Sequence, residues 1–365
     1  MLHRNRHLAS LTRRTLGRKP NAAFAFPPAG TTPTTIARAF SSSPTLVDQK
    51  VIDTTWKGTG QVIFLNSNDS GKVLLASLAI GDPFTASMAA LGSFTSSMTA
   101  KHVQLDKSTY ENGLYSYNGC LVGCAAAVFL APTSVIGASA ITVVGASTST
   151  FVAAGLSPLL TSGMPQWTLA FNLVTLTALL RAAAGTAATG TAEVGSDVAA
   201  SATEVAATAS VSAMDLLLSP LVGLSQIFVV ESALSGTGIV LAIAMYSPQL
   251  ATHALLGSTV GCLTGIAGGA APEAVAAGLW GYNAALTSMG TAVFFRNTRQ
   301  AQVLSVTGAG ATAVTFGACQ AVFTSVPCLT LPFCWVMSGC WFLGKGQGVP
   351  GLVLAKNPHS PEKNE

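Results

Sequence analysis

No aspartate, glutamate, lysine or arginine lies between Glu111 and Arg181, and none between Arg299 and Lys345. A hydrocarbon layer about 30 Å thick is crossed by about 20 mostly apolar residues in a helix, so each run has room for about two or three crossings. Within such a layer every backbone N–H and C=O must be bonded inside the protein, which makes helices the expected element. A very large buried soluble core is the competing explanation. Over the whole chain only 9% of residues are charged while 50% are hydrophobic, against roughly 25% charged in ordinary soluble domains. The reading is an all-α polytopic membrane protein. Abundant Gly, Ala, Ser and Thr fit it, because small residues let helix backbones approach closely where lipid supplies little drive for association.

The chain also repeats itself. "GLYSYNG" begins at Gly113 and "GLWGYNA" at Gly278, 165 positions later. At the same offset Gln61 matches Gln226, Ser70-Gly71 matches Ser235-Gly236, and Pro83 matches Pro248. Leu91-Gly92-Ser93 matches Leu256-Gly257-Ser258, and Tyr117-Asn118 matches Tyr282-Asn283. Further on, "MPQWTLAF" from Met164 matches "VPCLTLPF" from Val326 at an offset of 162. The organisation expected is a leader over 1–50, a first membrane repeat over 56–181, a low-complexity linker over 182–215, a second repeat over 216–344 and a polar tail over 345–365. Apolar pieces are expected near 71–82, 84–100, 114–131, 134–155 and 168–181, and again near 236–247, 249–267, 279–295, 302–324 and 330–344. A piece near Gly58 to Asn66 is too short to cross. Five crossings per half is an odd number, so the second copy must insert upside down. Inverted repeats of this kind place a substrate path at their interface.

Seven basic residues precede Asp48, the first acid. Ser and Thr are frequent there and no long apolar segment occurs, which is the composition of an organellar transit peptide. "RAFSSSP" from Arg38 reads as a mitochondrial processing region and points to the mitochondrial inner membrane. A plasma-membrane protein with a basic tail and a plastid-envelope protein are the alternatives. The formal charge of +4 and pI near 8.7 belong to this leader and imply no nucleic-acid partner. The seven cysteines are odd in number and lie in apolar stretches. They read as buried thiols, with no metal site and no cofactor implied. Ionisable residues are scarce in the spans, so coupled ion transport is disfavoured and a small neutral polar solute is favoured. His253 reads as a hydrogen-bonded structural residue.

"GTGQVIFLNSNDSG", "NGLYSYNGCLVG", "GLWGYNAALTSM", "WTLAFN" and "LTLPFC" resemble the urea transporter family, in order, from about Trp56 to Leu343. The resemblance implies two inverted repeats of five transmembrane helices, each with a re-entrant pore helix. It also implies a homotrimer in the lipid bilayer, each protomer holding its own pore, and passive passage of urea. Urea carries four N–H hydrogens and a carbonyl oxygen, and a pore must replace their hydrogen bonds to water. By resemblance Gln61 and Gln226 lie at the re-entrant regions, and Thr168 and Thr330 at the fifth crossings. Phe64 would wall a slot for a flat molecule, with Phe228 as its weaker counterpart. Other readings of these residues remain. The glutamines cap freed backbone, the threonines back-bond to their own helices, and Phe171 and Phe333 are either slot or core. Asn118 and Asn283 are expected to hold broken backbone. The sequence departs from the family in Ser67-Asn68 and Ser232-Ala233, where Asn-Pro is frequent, and in Ala170, where Pro is usual. The competing functions are a pore for ammonia or short amides and a structural membrane protein without a pore. An enzyme is not supported, since no nucleophile or phosphate-binding motif is present.

Overall fold

The structure is a computed structural model, and it describes residues 48–131, 134–160, 163–189, 211–346 and 348–364. The leader up to residue 47 and residues 190–210 of the expected linker lie outside the described residues. Apart from one isolated bridge between Phe295 and Leu354, the regular structure described is helical.

In the first half the helices are α1 (Gln49–Gln61), α2 (Asn68–Gly81), α3 (Pro83–His102), α4 (Lys107–Glu111), α5 (Ser116–Ala125, continued by a π-helical turn to Leu130), α6 (Val135–Leu159) and α7 (Leu169–Thr189). In the second half they are α8 (Ala213–Gln226), α9 (Ala233–Tyr246), α10 (Pro248–Ala267), α11 (Pro272–Ala276), α12 (Tyr282–Phe294), α13 (Arg299–Val322) and α14 (Leu331–Lys345). The starts follow local chemistry. Pro83 and Pro248 open α3 and α10, with the side chains of Asp82 and Ser247 accepting from first-turn amides. A proline in that place loses no helical bond. Ser67 and Ser232 cap α2 and α9 by accepting from the amides of Ser70 and Ser235. The departure from Asn at these positions therefore keeps the helix start, since Ser and Asn cap about equally well.

Two helices differ in extent from the expectation. The short piece expected from Gly58 begins at Gln49, because Asp48 caps it through the amide of Val51. The fifth apolar piece, expected to stop at 181, runs on as helix to Thr189, within the span expected for the linker. With 13 residues in α1 and 14 in α8, each is about 20 Å long at 1.5 Å per residue, short of a 30 Å crossing.

Among the described residues only α6 and α10 are long and apolar enough by composition alone to cross a membrane. Hydroxyl-bearing residues lower the apolarity of the others. Many of these hydroxyls are internally bonded: Thr99 donates to the Thr95 carbonyl, Thr237 to that of Ala233 and Thr315 to that of Ala311. Large apolar side chains stand outside the bundle, including Ile136 (84% exposed), Val322 (77%) and Leu217 (71%). A surface so rich in exposed aliphatics suits lipid rather than water.

The sequence repeat is a repeat of geometry. Gly71 and Gly236 sit so close to the backbone that an added Cβ would lie 2.0 Å from the Trp56 carbonyl oxygen and 1.9 Å from that of Leu221. Gly113 and Gly278 both take positive φ, 71° and 76°, which glycine adopts without steric penalty. The halves meet along α2 and α9, where the Ser235 hydroxyl donates to the Ser77 carbonyl at 2.8 Å.

The tail after α14 packs on the end of the second half. The amides of Arg296 and Ala355 pair with the carbonyls of Val353 and Phe294 at 2.8 and 2.9 Å. Glu362 accepts from the Ser247 hydroxyl and the Gln249 amide at the start of α10. Asn364 donates to the carbonyls of Ala292 and Val293 at the end of α12. The ring of His359 stacks on Tyr246. All seven cysteines are buried free thiols.

Candidate functional site

Five non-glycine residues have positive φ among the described residues: Phe64, Gln104, Trp167, Val229 and Leu329. Four of them form two repeat-related pairs, Phe64 with Val229 and Trp167 with Leu329. Each pair adjoins residues singled out from the sequence. A left-handed conformation costs about 1–2 kcal/mol for an ordinary L-residue, and a β-branched valine there is unusual. Strain duplicated at equivalent points is a pointer to function.

The first pair closes the short helices. After Gln61 the amide of Leu65 returns to the Gly60 carbonyl at 3.0 Å, and after Gln226 the amide of Val230 returns to the Ser225 carbonyl at 3.2 Å. The terminal glutamines then make matching bonds. Gln61 Nε2 donates to the Asn112 carbonyl at 3.0 Å, and Gln226 Nε2 to the Ala277 carbonyl at 2.9 Å. Both amides do cap backbone, and this use of the NH₂ group leaves each Oε1 as the acceptor end.

The second pair precedes Thr168 and Thr330. Tyr117 donates to the Trp167 carbonyl, and Tyr282 to the Leu329 carbonyl at 2.7 Å. Asn118 Oδ1 accepts from the Phe171 amide at 3.1 Å, and Asn283 Oδ1 from the Phe333 amide at 3.3 Å. These asparagines hold broken backbone, as expected. The two threonine hydroxyls are 2.7 Å apart and bonded to each other, not back-bonded to their helices. Asn172 completes the group: its Nδ2 donates to Thr330 Oγ1 at 2.9 Å. His253 is a structural residue, bonded through Nδ1 to the Ser305 hydroxyl at 2.9 Å.

Phe64 meets Phe294 and Phe333 edge-on, with ring centroids 5.9 and 6.3 Å apart. Trp167 meets Phe294 at 5.1 Å, Phe333 at 5.9 Å and Trp341 at 6.3 Å. The repeat-related positions hold Val229, Phe129, Phe171, Leu329 and Leu179. Five rings thus cluster on one side of the duplicated arrangement, whereas the equivalent positions carry mostly aliphatics. Phe228 does not take Phe64's place. It stands in register with Ile63 and is fully buried, while Val229 holds the left-handed position. The sequence pointed to Phe228 because an aromatic lies one residue off the register. Trp167, Phe294 and Trp341, the other rings of this cluster, were not singled out from the sequence. Trp167, directly before Thr168, was the one with a local signal. Neither glutamine hydrogen-bonds to the threonine pair among the described residues, so the site is a series of separate stations.

A family model described as "Urea transporter" matches residues 52–345. The chain belongs to the urea transporter family. It is 30% identical over 317 residues to Urea transporter 1 of Mus musculus, covering 84% of this chain and 78% of the relative. Identity to Urea transporter 1 of Rattus norvegicus is 30% over 292 residues, covering 78% and 74%. Urea transporter 1 of Ovis aries is 29% identical over 325 residues, covering 84% and 78%. Members of this family are transporters, not enzymes, and this urea transporter homologue is an integral membrane protein. Its matched region takes in α2 to α14 and all six residues singled out from the sequence.

Proposed function

We propose that this protein conducts urea passively through a neutral path between its two halves. The observation that carries the reading is the buried pair Thr168 and Thr330, bonded to each other from equivalent points of the two repeats. A solute such as urea needs its lost water bonds replaced, since each unpaired polar group costs roughly 2–7 kcal/mol in an apolar site. The carbonyl ends of Gln61 and Gln226 accept N–H groups, and the threonine hydroxyls both donate and accept. Phe64, with Trp167, Phe294 and Phe333, gives a flat apolar wall. Phe228 serves as packing behind Val229. The absence of charge in this series favours a neutral solute over an ion.

In this reading α1 and α8 are the re-entrant pore helices, and the other long helices are five crossings in each half, the second set inverted. A pseudo-twofold axis passing by the threonine pair fits that arrangement. The family resemblance supports a homotrimer with one path per protomer. The basic, acid-free stretch ahead of Asp48 supports delivery to the mitochondrial inner membrane.

Stopped-flow swelling of proteoliposomes tests the function. Rapid urea flux without a pH gradient is expected. Flux of methylamine or acetamide with none of urea would assign the path to a different neutral solute. Flux of none of them would overturn the pore.

A further inference from the structure

The threonine pair is symmetric, but its surroundings are not. Four residues after Thr168 on α7 stands Asn172, and four after Thr330 on α14 stands Cys334, so the repeat places an amide in one half and a thiol in the other. Both are buried. Cys334 Sγ lies 3.3 Å from Thr168 Oγ1. Asn172 reaches across to the other half, accepting from the Thr330 amide at 3.2 Å through Oδ1 and donating to Thr330 Oγ1 at 2.9 Å through Nδ2. Nδ2 also donates to the Thr168 carbonyl at 2.9 Å.

The orientation of this amide is forced. A backbone N–H can only donate, so the Asn172 oxygen must face Thr330 N. A backbone carbonyl can only accept, so the Asn172 nitrogen must face Thr168 O. Either constraint alone fixes the side chain, and together they leave an N–H pointing at the Thr330 hydroxyl. The hydroxyl pair owns two hydrogens and four acceptor sites. Its mutual bond uses one of each, and Asn172 fills one acceptor site on Thr330. When Thr168 fills the other, Thr330 can meet a solute only as a donor, while the remaining acceptor sites belong to Thr168, beside Cys334 Sγ. A thiol cannot impose this, being a weak donor and weak acceptor.

We infer that Asn172 is the positioning residue that makes Thr330 the hydrogen-bond donor of the pair toward the solute carbonyl. This rests on the urea reading above. A donor at the pair rewards a carbonyl oxygen and gives little to a thiocarbonyl sulfur, so the pair discriminates urea from thiourea. An asparagine acting only as packing would affect both solutes alike.

The test is the urea-to-thiourea flux ratio of the full chain in proteoliposomes, read within each variant so that differing amounts of folded protein cancel. Asn172→Cys places in the first half the residue that the second half already carries. The ratio is expected to fall by about five- to tenfold, the value of one hydrogen bond, through loss of urea flux. Asn172→Cys with Cys334→Asn moves the amide to the equivalent point of the other half, and is expected to restore the ratio. Asn172→Asp, which keeps the acceptor and removes the NH₂ donor, is expected to behave as Asn172→Cys. An unchanged ratio in Asn172→Cys, with urea still conducted by the parent protein, overturns the positioning role alone. Absence of urea flux in the parent protein overturns the urea reading and this inference with it.

Discussion

Thr168 and Thr330 hydrogen-bond to each other at 2.7 Å although 162 positions separate them. In the inverted-repeat arrangement proposed above, equivalent residues touch only beside the pseudo-twofold axis that relates the copies. Each half therefore supplies one hydroxyl to a single shared station. Thr168→Val and Thr330→Val are each expected to slow urea flux by about five- to tenfold, the worth of a hydrogen bond. The double variant should add little to the worse single one, because either valine already breaks the shared bond. Simple multiplication of the two effects would mean that the hydroxyls act independently.

The same pair should be unequal in stability. Thr330→Val takes the nearer acceptor from one Asn172 N–H and leaves it the longer contact to Thr168 Oγ1 at 3.4 Å, against a cost of about 1–3 kcal/mol for a buried donor wholly unpaired. Thr168→Val leaves the principal Asn172 bonds, to the Thr168 carbonyl and the Thr330 hydroxyl, in place. Thermal unfolding in detergent should show the larger loss for Thr330→Val. The reverse order would remove Asn172 as the partner that matters.

In the proposed path Gln61 and Gln226 each combine a backbone cap with an oxygen offered to the solute. In Gln61→Leu the Asn112 carbonyl loses its donor, and in Gln226→Leu that of Ala277 does. Both variants are expected to lose urea flux and about 1–3 kcal/mol of stability. Gln→Glu variants separate the two roles, since the carboxylate keeps an acceptor and lacks the N–H. Normal flux in Gln61→Leu, measured on correctly folded protein, would make that glutamine purely structural.

How far these stations were legible depends on whether their signal was local. The threonines were visible because each opens a helix inside a matching motif, and the helix starts because Pro83 and Pro248 punctuate the apolar runs. The aromatic wall was not, since Phe64, Trp167, Phe294, Phe333 and Trp341 come from separate stretches and only folding brings them together. Phe228 misled because an offset of one residue decides which side chain takes the left-handed place, and aromatic content is a weaker guide than register. Asn172 was missed for the opposite reason: its partner in the repeat is Cys334, so comparing the halves hides it.

Trp167 offers a direct test of that asymmetric wall. Its indole N–H donates to the Ser338 hydroxyl at 3.0 Å, and its ring meets three others. Trp167→Leu copies the second half, where Leu329 takes the same left-handed backbone. The backbone should therefore persist while packing is lost, at about 3–5 kcal/mol for truncating a buried aromatic, less what leucine refills. Discrimination between urea and the bulkier dimethylurea should weaken in flux measurements. Unaltered discrimination would place Trp167 in the core rather than in the wall.

The docked tail should respond to pH through His359. Burial first, and the positive charge of Lys363 second, hold this imidazole below its ordinary value of 6.5, with Glu362 acting in the opposite direction. In the docked form Nδ1 accepts from the Ser360 amide at 2.7 Å, which requires that nitrogen to be unprotonated. A released tail has the ordinary value and takes up a proton more readily. Docking is therefore fully favoured above about pH 6.5 and weakens as pH falls through it. Glu362 acts in a lower window. Burial raises its value, but the bonds from Ser247 and the Gln249 amide outweigh this and leave it below 4.5, so its contribution is lost only at more acid pH. The hydrogen-exchange protection of the Arg296 and Ala355 amides, which bond across the docked tail, should fall as pH is lowered from about 7.5 to about 5.5, once the intrinsic slowing of exchange is divided out. His359→Phe keeps a ring against Tyr246 and removes the titrating nitrogen, so that this loss of protection should vanish. Persistence of the full pH response in His359→Phe would assign it to another group, and a response confined to pH below 4.5 would assign it to Glu362.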